Sequence, residues 1–162
     1  MWGSMGGNGE KWINGALWHV FLGEFEHTVD ERGRIAIPAR FRQDLTAGLV
    51  VTRGIEACLS AWPMDGWNDI AEKLSDLSVM QADARKIHRY LFSSATHCTL
   101  DRIGRILVPS FLRDYADLKD NVVIVGLLNR LEIWSRTRWE EERAGNERES
   151  ADIAEHLSRL GV

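Results

Sequence analysis

Residues 30–42 of this 162-residue chain read DERGRIAIPARFR, and the same pattern returns 71 positions later as DRIGRILVPSFLR at residues 101–113. Both copies share the frame Asp-x-x-Gly-Arg-Ile-x-Ile/Val-Pro, and both end on an arginine. Repetition of this kind is typical of folds that are built from copies of one structural unit. We therefore predict a tandem duplication, and the duplicated unit decides the fold.

The repeat extends well beyond these two stretches, with the offset changed by one residue. In order along the chain, Val50-Val51, Gly54, Leu59, Trp62 and Trp67 correspond to Val122-Val123, Gly126, Leu131, Trp134 and Trp139. A unit of this size buries too little apolar surface to be stable alone. We expect the two copies to interleave and to share one hydrophobic core.

Each copy predicts the same short run of secondary structure. A strand precedes the Asp-x-x-Gly turn, where the aspartate accepts backbone hydrogen bonds and Gly33 or Gly104 supplies a positive φ. A second strand follows, and Pro38 or Pro109 ends it and begins a short helix. A second hairpin closes each unit, and it is predicted at residues 49–52 with 58–62 and at 122–125 with 131–134. The predicted fold class is α+β.

Composition excludes several classes of protein. No apolar run is long enough to span a bilayer, and the first residues lack the pattern of a secretory signal. Cys58 and Cys98 are the only cysteines, which favours a reducing compartment and small buried side chains. The net charge of −4 lies in the tail from Trp139 onward, while the preceding residues balance at 17 bases and 17 acids. Sixteen of the 20 bases are arginine, which suits bidentate contacts to phosphate and guanine.

The sequence lacks the common catalytic and metal-binding patterns. The glycine pattern of a phosphate-binding loop and the Gly-x-Ser-x-Gly pattern of a nucleophilic serine are missing from the sequence. The five histidines, at positions 19, 27, 88, 97 and 156, show no metal-ligand spacing. We predict that the chain is not an enzyme and uses no metal, cofactor or small-molecule substrate.

The sequence resembles the MraZ family, whose members contain two SpoVT/AbrB-type swapped-hairpin units. The resemblance covers roughly residues 21–139. It rests on FLGEF at residues 21–25, on both Asp-x-x-Gly-Arg elements and on VGLLNRLEIW at residues 125–134. It implies units at 20–66 and 95–138. The spacing of apolar residues and the run of acidic residues predict a helical connector at 67–94 and an acidic helical tail at 139–162. The implied fold is a pseudo-symmetric double β-hairpin barrel of the AbrB type, with intervening and C-terminal helices.

The resemblance also implies a function. It suggests a cytoplasmic, nucleoid-associated transcription factor that regulates the bacterial division and cell-wall gene cluster, with repression as the expected sign. Such a protein would form a ring-like homo-oligomer on G-rich direct repeats of double-stranded DNA upstream of its own operon. Several weak modules on several repeats would then bind with high avidity.

The family's Asp-x-x-x-Arg elements correspond to Asp30 with Arg34 and to Asp101 with Arg105. An arginine beside a tight turn can reach guanine O6 and N7 in the major groove, and a neighbouring carboxylate can orient its guanidinium. Further phosphate contacts are expected from the other arginines of both copies: Arg32, Arg40, Arg42, Arg102 and Arg113. The alternative interpretation is that each Asp–Arg pair is a surface salt bridge of little energetic weight.

Residues 1–19 precede the part of the chain that resembles the family. We expect them to be a disordered extension, or upstream DNA read as coding sequence before a start at Val20. Back-translation permits TGG at nucleotides 4, 14, 24 and 34, a spacing of about one helical turn of DNA. The hypothesis is that this segment encodes the operator itself.

A second function remains open from the sequence. The chain could be an AbrB-type antitoxin-like module whose acidic tail binds a partner protein. The doubling of the hairpin unit argues against this alternative, since such antitoxins usually resemble one unit with a disordered tail.

Overall fold

The computed structural model describes residues 11–13, 16–18 and 20–162, and the fold is α+β, as predicted. The strands are β1 (Lys11–Ile13), β2 (Ala16–Trp18), β3 (Phe21–Thr28), β4 (Arg34–Ala36), β5 (Leu49–Arg53), β6 (Leu59–Pro63), β7 (Thr96–Cys98), β8 (Arg105–Leu107), β9 (Asn121–Leu128) and β10 (Leu131–Ser135). The helices are a 3₁₀ helix (Ala39–Leu45), α1 (Met64–Ser75), α2 (Ala82–Phe92), α3 (Ser110–Ala116), α4 (Arg136–Arg148) and α5 (Ser150–Arg159).

Strands from both copies are combined in the same sheets. A six-stranded antiparallel sheet has the order β3, β9, β10, β6, β5, β7, so that β3 of the first copy pairs with β9 of the second. A separate two-stranded ribbon joins β4 to β8. Beyond the ribbon, the Ile37 N–H donates to the Gly104 carbonyl and the Val108 N–H donates to the Gly33 carbonyl. Backbone groups of each copy are therefore hydrogen-bonded to backbone groups of the other copy.

The main hydrophobic cluster is formed by residues of both copies, as the sequence predicts, and a smaller one joins Cys58 to Val123, Val125 and Trp134. Ile35 and Phe41 of the first copy pack in the same buried cluster as Ile106 and Leu112 of the second. Phe41 also meets the rings of Phe21 and Phe25 edge to face, a favoured arrangement for aromatic pairs. Cys58 and Cys98 are buried free thiols, and burial raises the pKa of Cys58 to about 12 and that of Cys98 to about 11.

The helices begin where the sequence supplies start signals. Pro38, Pro63 and Pro109 immediately precede the 3₁₀ helix, α1 and α3, and a fixed φ suits proline to this position. The Ser135 hydroxyl caps α4 by accepting the Arg138 N–H. Within the described part of the chain, none of these helices combines the length and apolar character that a membrane span requires.

The expected extension at residues 1–19 falls largely outside the described residues. Within it, β1 and β2 pair in an antiparallel hairpin. Residues 1–10, 14–15 and 19 lie outside the described residues, so the disordered extension and the alternative start remain predictions.

Candidate nucleic-acid interface

The candidate site lies on the ribbon of β4 and β8. In its register, Arg34 is opposite Leu107, Ile35 is opposite Ile106, and Ala36 is opposite Arg105. Ile35 and Ile106 are completely buried. Because successive residues of a strand point to opposite faces, the other four side chains share the outward face. We call this the outer ribbon face, and it consists of Arg34, Ala36, Arg105 and Leu107.

The turn before β4 fixes the position of Arg34. Asp30 Oδ1 accepts the backbone N–H groups of Arg32 and Arg34, both at 2.9 Å. Asp30 Oδ2 accepts a hydrogen bond from Arg34 Nε at 2.7 Å. Gly33 adopts a φ of +81°, a left-handed conformation that glycine adopts without steric cost. The aspartate therefore holds both the turn and the guanidinium that follows it.

The second turn repeats this geometry. Asp101 Oδ1 accepts the N–H groups of Ile103 and Arg105, and its Oδ2 accepts from Arg105 Nε at 2.8 Å. Asp30 Oδ2 also lies 3.6 Å from Arg105 Nη1, so it contacts the arginines of both copies. The two guanidinium groups are thereby held near each other on the outer ribbon face.

The hydrogen bonds of the turns stabilise the ionised form of each carboxylate. The backbone N–H of Arg34 is the largest influence on Asp30 and, with the Arg34 side chain, lowers the pKa of Asp30 to about 2. The backbone N–H of Arg105 likewise lowers the pKa of Asp101. Both carboxylates are ionised at neutral pH and accept hydrogen bonds without competition from a proton.

Acid should remove the contribution of Asp30 to stability. A depressed pKa in the folded state stabilises the fold above the unfolded pKa of about 4, and this contribution disappears as the pH falls towards about 2. We expect Asp30→Asn to unfold at lower urea concentration than wild type at pH 7, and the gap between them to narrow from pH 4 downward. Asp83→Asn removes an exposed carboxylate from α2 and controls for the change in net charge. A gap of equal size at pH 7 and pH 2 would contradict this role.

Arg42 and Arg113 pack against the turns of the opposite copy. Arg42 Nε donates to the Ile37 carbonyl and Arg113 Nε donates to the Val108 carbonyl. A Cβ added to Gly104 would lie 2.2 Å from Arg42 Nε, and one added to Gly33 would lie 2.6 Å from Arg113 Cζ. A larger residue at either turn would therefore displace the arginine packed against it, in addition to straining the positive φ.

The remaining predicted phosphate contacts are exposed. Arg32 and Arg102 lie on the turns themselves. Arg40 lies on the 3₁₀ helix, with its guanidinium 5.6 Å from the centre of the Phe25 ring. The structure brings Asp30, Arg34 and Asp101 together with Arg105, whereas Arg40 lies on the 3₁₀ helix.

Sequence reasoning missed Leu107. This side chain lies on the outer ribbon face and is exposed, although leucine usually belongs to a core. Its outward direction could have been predicted, because Leu107 alternates with Ile106 and Val108 along the strand, whereas its pairing with Arg34 could not.

Comparison with known proteins identifies the family of the chain. A family model described as "MraZ protein, putative antitoxin-like" matches residues 20–90 and again residues 91–159. The first match contains the 3₁₀ helix, α1 and most of α2, and the second contains α3, α4 and α5. A protein of Moorella thermoacetica named "Transcriptional regulator MraZ" is 50% identical over 143 residues, which cover 88% of this chain and 97% of that protein.

Two further relatives bear the same name. One from Roseiflexus sp. (strain RS-1) is 43% identical over 87% of this chain and 99% of its own length. One from Halothermothrix orenii is 43% identical over 88% of this chain and 100% of its own length. The family model spans both copies of the repeat and these relatives align from end to end, so the chain belongs to the MraZ family.

Proposed function

We propose that the chain is a transcriptional regulator that binds G-rich direct repeats of double-stranded DNA. The main support is the arrangement of Arg34 and Arg105, which are half-buried on the outer ribbon face and are each hydrogen-bonded to the aspartate of their own turn. A two-stranded ribbon fits into the major groove, and an arginine there can donate two hydrogen bonds to one guanine. The names of the relatives agree with this role.

Exposed arginines around the ribbon would supply the affinity. Arg32 and Arg102 on the turns and Arg40 on the 3₁₀ helix are exposed and can contact phosphates, and we assign the same role to the half-buried Arg42 and Arg113. Such contacts position a protein on DNA without specifying the sequence. In this proposal, Arg34 and Arg105 select bases and the other arginines bind the backbone.

We further propose that copies of the chain assemble as a ring-like homo-oligomer. Uniform head-to-tail contacts place identical modules in the same orientation, which suits direct repeats, whereas a two-fold dimer favours palindromes. The pairing of β4 with β8 supports the swapped-hairpin, AbrB-like organisation of each module. The proposed setting is the cytoplasm, on the nucleoid, where the protein represses the division and cell-wall gene cluster that contains its own gene.

The alternative is an antitoxin-like module whose acidic tail binds a partner protein. The wording of the family description and the exposed apolar residues of α5, Ile153 and Leu157, favour this possibility. The two proposals differ in what the purified chain does alone. A regulator retains DNA without any companion, while an antitoxin-like module would co-purify with a small protein bound to residues 139–162.

A mobility-shift assay tests the proposed function. The probe is the DNA immediately upstream of the Val20 codon, and the control is the same DNA with its G-rich repeats scrambled. We expect the purified chain to retain the probe at concentrations that leave the control free. Affinity should fall as salt rises, with a log–log slope of about −0.9 for each phosphate neutralised. Equal affinity for the two DNAs, or no binding to either, would contradict the proposal.

A further inference from the structure

The two copies present different chemistry around the outer ribbon face. The second copy has Leu107, Ile103 and Phe111 where the first has Ala36, Arg32 and Arg40. These three apolar side chains are 58%, 59% and 52% exposed. At these three positions the second copy is therefore apolar, whereas the first copy is small or cationic.

Leu107 has the most informative position of the three. It lies directly opposite Arg34 in the ribbon, and side chains opposite each other in an antiparallel pair are close neighbours. Ala36, its counterpart, lies opposite Arg105 and presents only a methyl group. Each arginine thus has a different neighbour, a long apolar side chain for Arg34 and a short one for Arg105.

Thymine is the base whose major-groove edge fits an apolar side chain. It presents a C5 methyl group in that groove, and apolar side chains contact it there. We propose that Leu107 packs against the C5 methyl of a thymine adjacent to the guanine that Arg34 contacts. This inference rests on the DNA-binding role proposed above, and it makes Leu107 a specificity-determining residue.

The packing of the ribbon supports this assignment. Ile106, the residue before Leu107, fills the core, so the Leu107 side chain is directed away from the protein. Arg34 shares that face and is held by Asp30. A ligand that reaches Arg34 must therefore also meet Leu107. Ala36 is too short to make the same contact beside Arg105. The module therefore recognises two different half-sites and binds DNA in one orientation.

A comparison of thymine with deoxyuridine tests the proposal, since deoxyuridine pairs identically but lacks the C5 methyl. The thymines of the upstream DNA are replaced singly, beginning with those next to guanines. We expect one replacement to weaken wild-type binding about fourfold, the factor contributed by burial of one methyl-sized group. Leu107→Ala should bind thymine DNA more weakly than wild type by a similar factor and should bind both DNAs equally.

Leu22→Ala provides the matched control. Leu22 lies on β3 and is 53% exposed, so the same substitution is made on an exposed leucine outside the ribbon. This variant should keep the wild-type preference for thymine over deoxyuridine. The mass of each variant in solution is measured by light scattering at the concentrations used for binding.

Each outcome separates this inference from the proposed function. Wild-type protein that binds thymine and deoxyuridine DNA equally well overturns the inference and leaves the DNA-binding role intact. Wild-type protein that retains neither DNA overturns both. If Leu107→Ala keeps the thymine preference and forms smaller oligomers than wild type, Leu107 is a contact between copies of the chain, and the inference is wrong.

Discussion

Replacement of Arg34 and Arg105 together by alanine is expected to weaken binding to the upstream DNA by about 30-fold or more. Each bidentate contact between arginine and guanine contributes roughly 1–3 kcal/mol of discrimination, and two such contacts are lost from every module. Both side chains lie on the outer ribbon face and leave the core intact. We therefore expect the variant to fold and to form oligomers of wild-type mass. Mobility shift and light scattering provide the two measurements.

A second double variant controls for the lost charge. Arg136→Ala with Arg143→Ala removes two guanidinium groups from α4, where they pair with Glu140 and Glu24, neither of which belongs to the ribbon. This variant should retain most of its DNA affinity. Arg34→Lys with Arg105→Lys keeps the charge but loses the planar fork, and it should bind DNA while discriminating poorly among sequences. Wild-type affinity in the alanine variant would refute the assignment of these two side chains.

Ile106→Ala is expected to lower the free energy of unfolding by about 2–5 kcal/mol, the usual cost of removing three carbons from a buried isoleucine. Ile106 is completely buried opposite Ile35, at the point where the two copies meet. Because the core is shared, the variant should still unfold in one transition, with its midpoint shifted to a lower urea concentration. The free energy of unfolding and the number of transitions are measured by urea denaturation, followed by tryptophan fluorescence and by circular dichroism.

Ile103→Ala is the matched control for this loss of stability. The same three carbons are removed, three residues away, from a side chain that is exposed on the turn. Exposed substitutions of this kind usually change stability by no more than about 0.5 kcal/mol. Two separate transitions in Ile106→Ala would mean that the copies unfold independently, contrary to a shared core.

The local parts of the fold could be predicted because their signals are local. Asp30 and Gly33 lie three residues apart and define a turn by their own hydrogen-bonding and φ preferences, and the structure confirms the turn. The helices after Pro38 and Pro109 follow from the same kind of signal. The shared core was predictable from the small size of each unit.

The pairing between the copies could not be predicted in the same way. Nothing in residues 34–36 indicates that they pair with residues 105–107, because register between distant strands depends on the packing of the whole core. The sequence assigned Arg42 and Arg113 to phosphate contacts, but it did not predict that each would lie against the opposite glycine turn. The position of Leu107 beside Arg34 follows from the same pairing, and for that reason it was missed.

The ribbon consists of one strand from each copy, and this arrangement limits how a gene with a single copy could have produced it. A single-copy ancestor could complete such a ribbon only by joining an identical chain, as a homodimer with a true two-fold axis. Fusion of the two copies made that partnership intramolecular, and a substitution in one half no longer had to appear in the other. An obligate homodimer carries the same residue in both halves of its ribbon. It could therefore not have Ala36 in one half and Leu107 in the other.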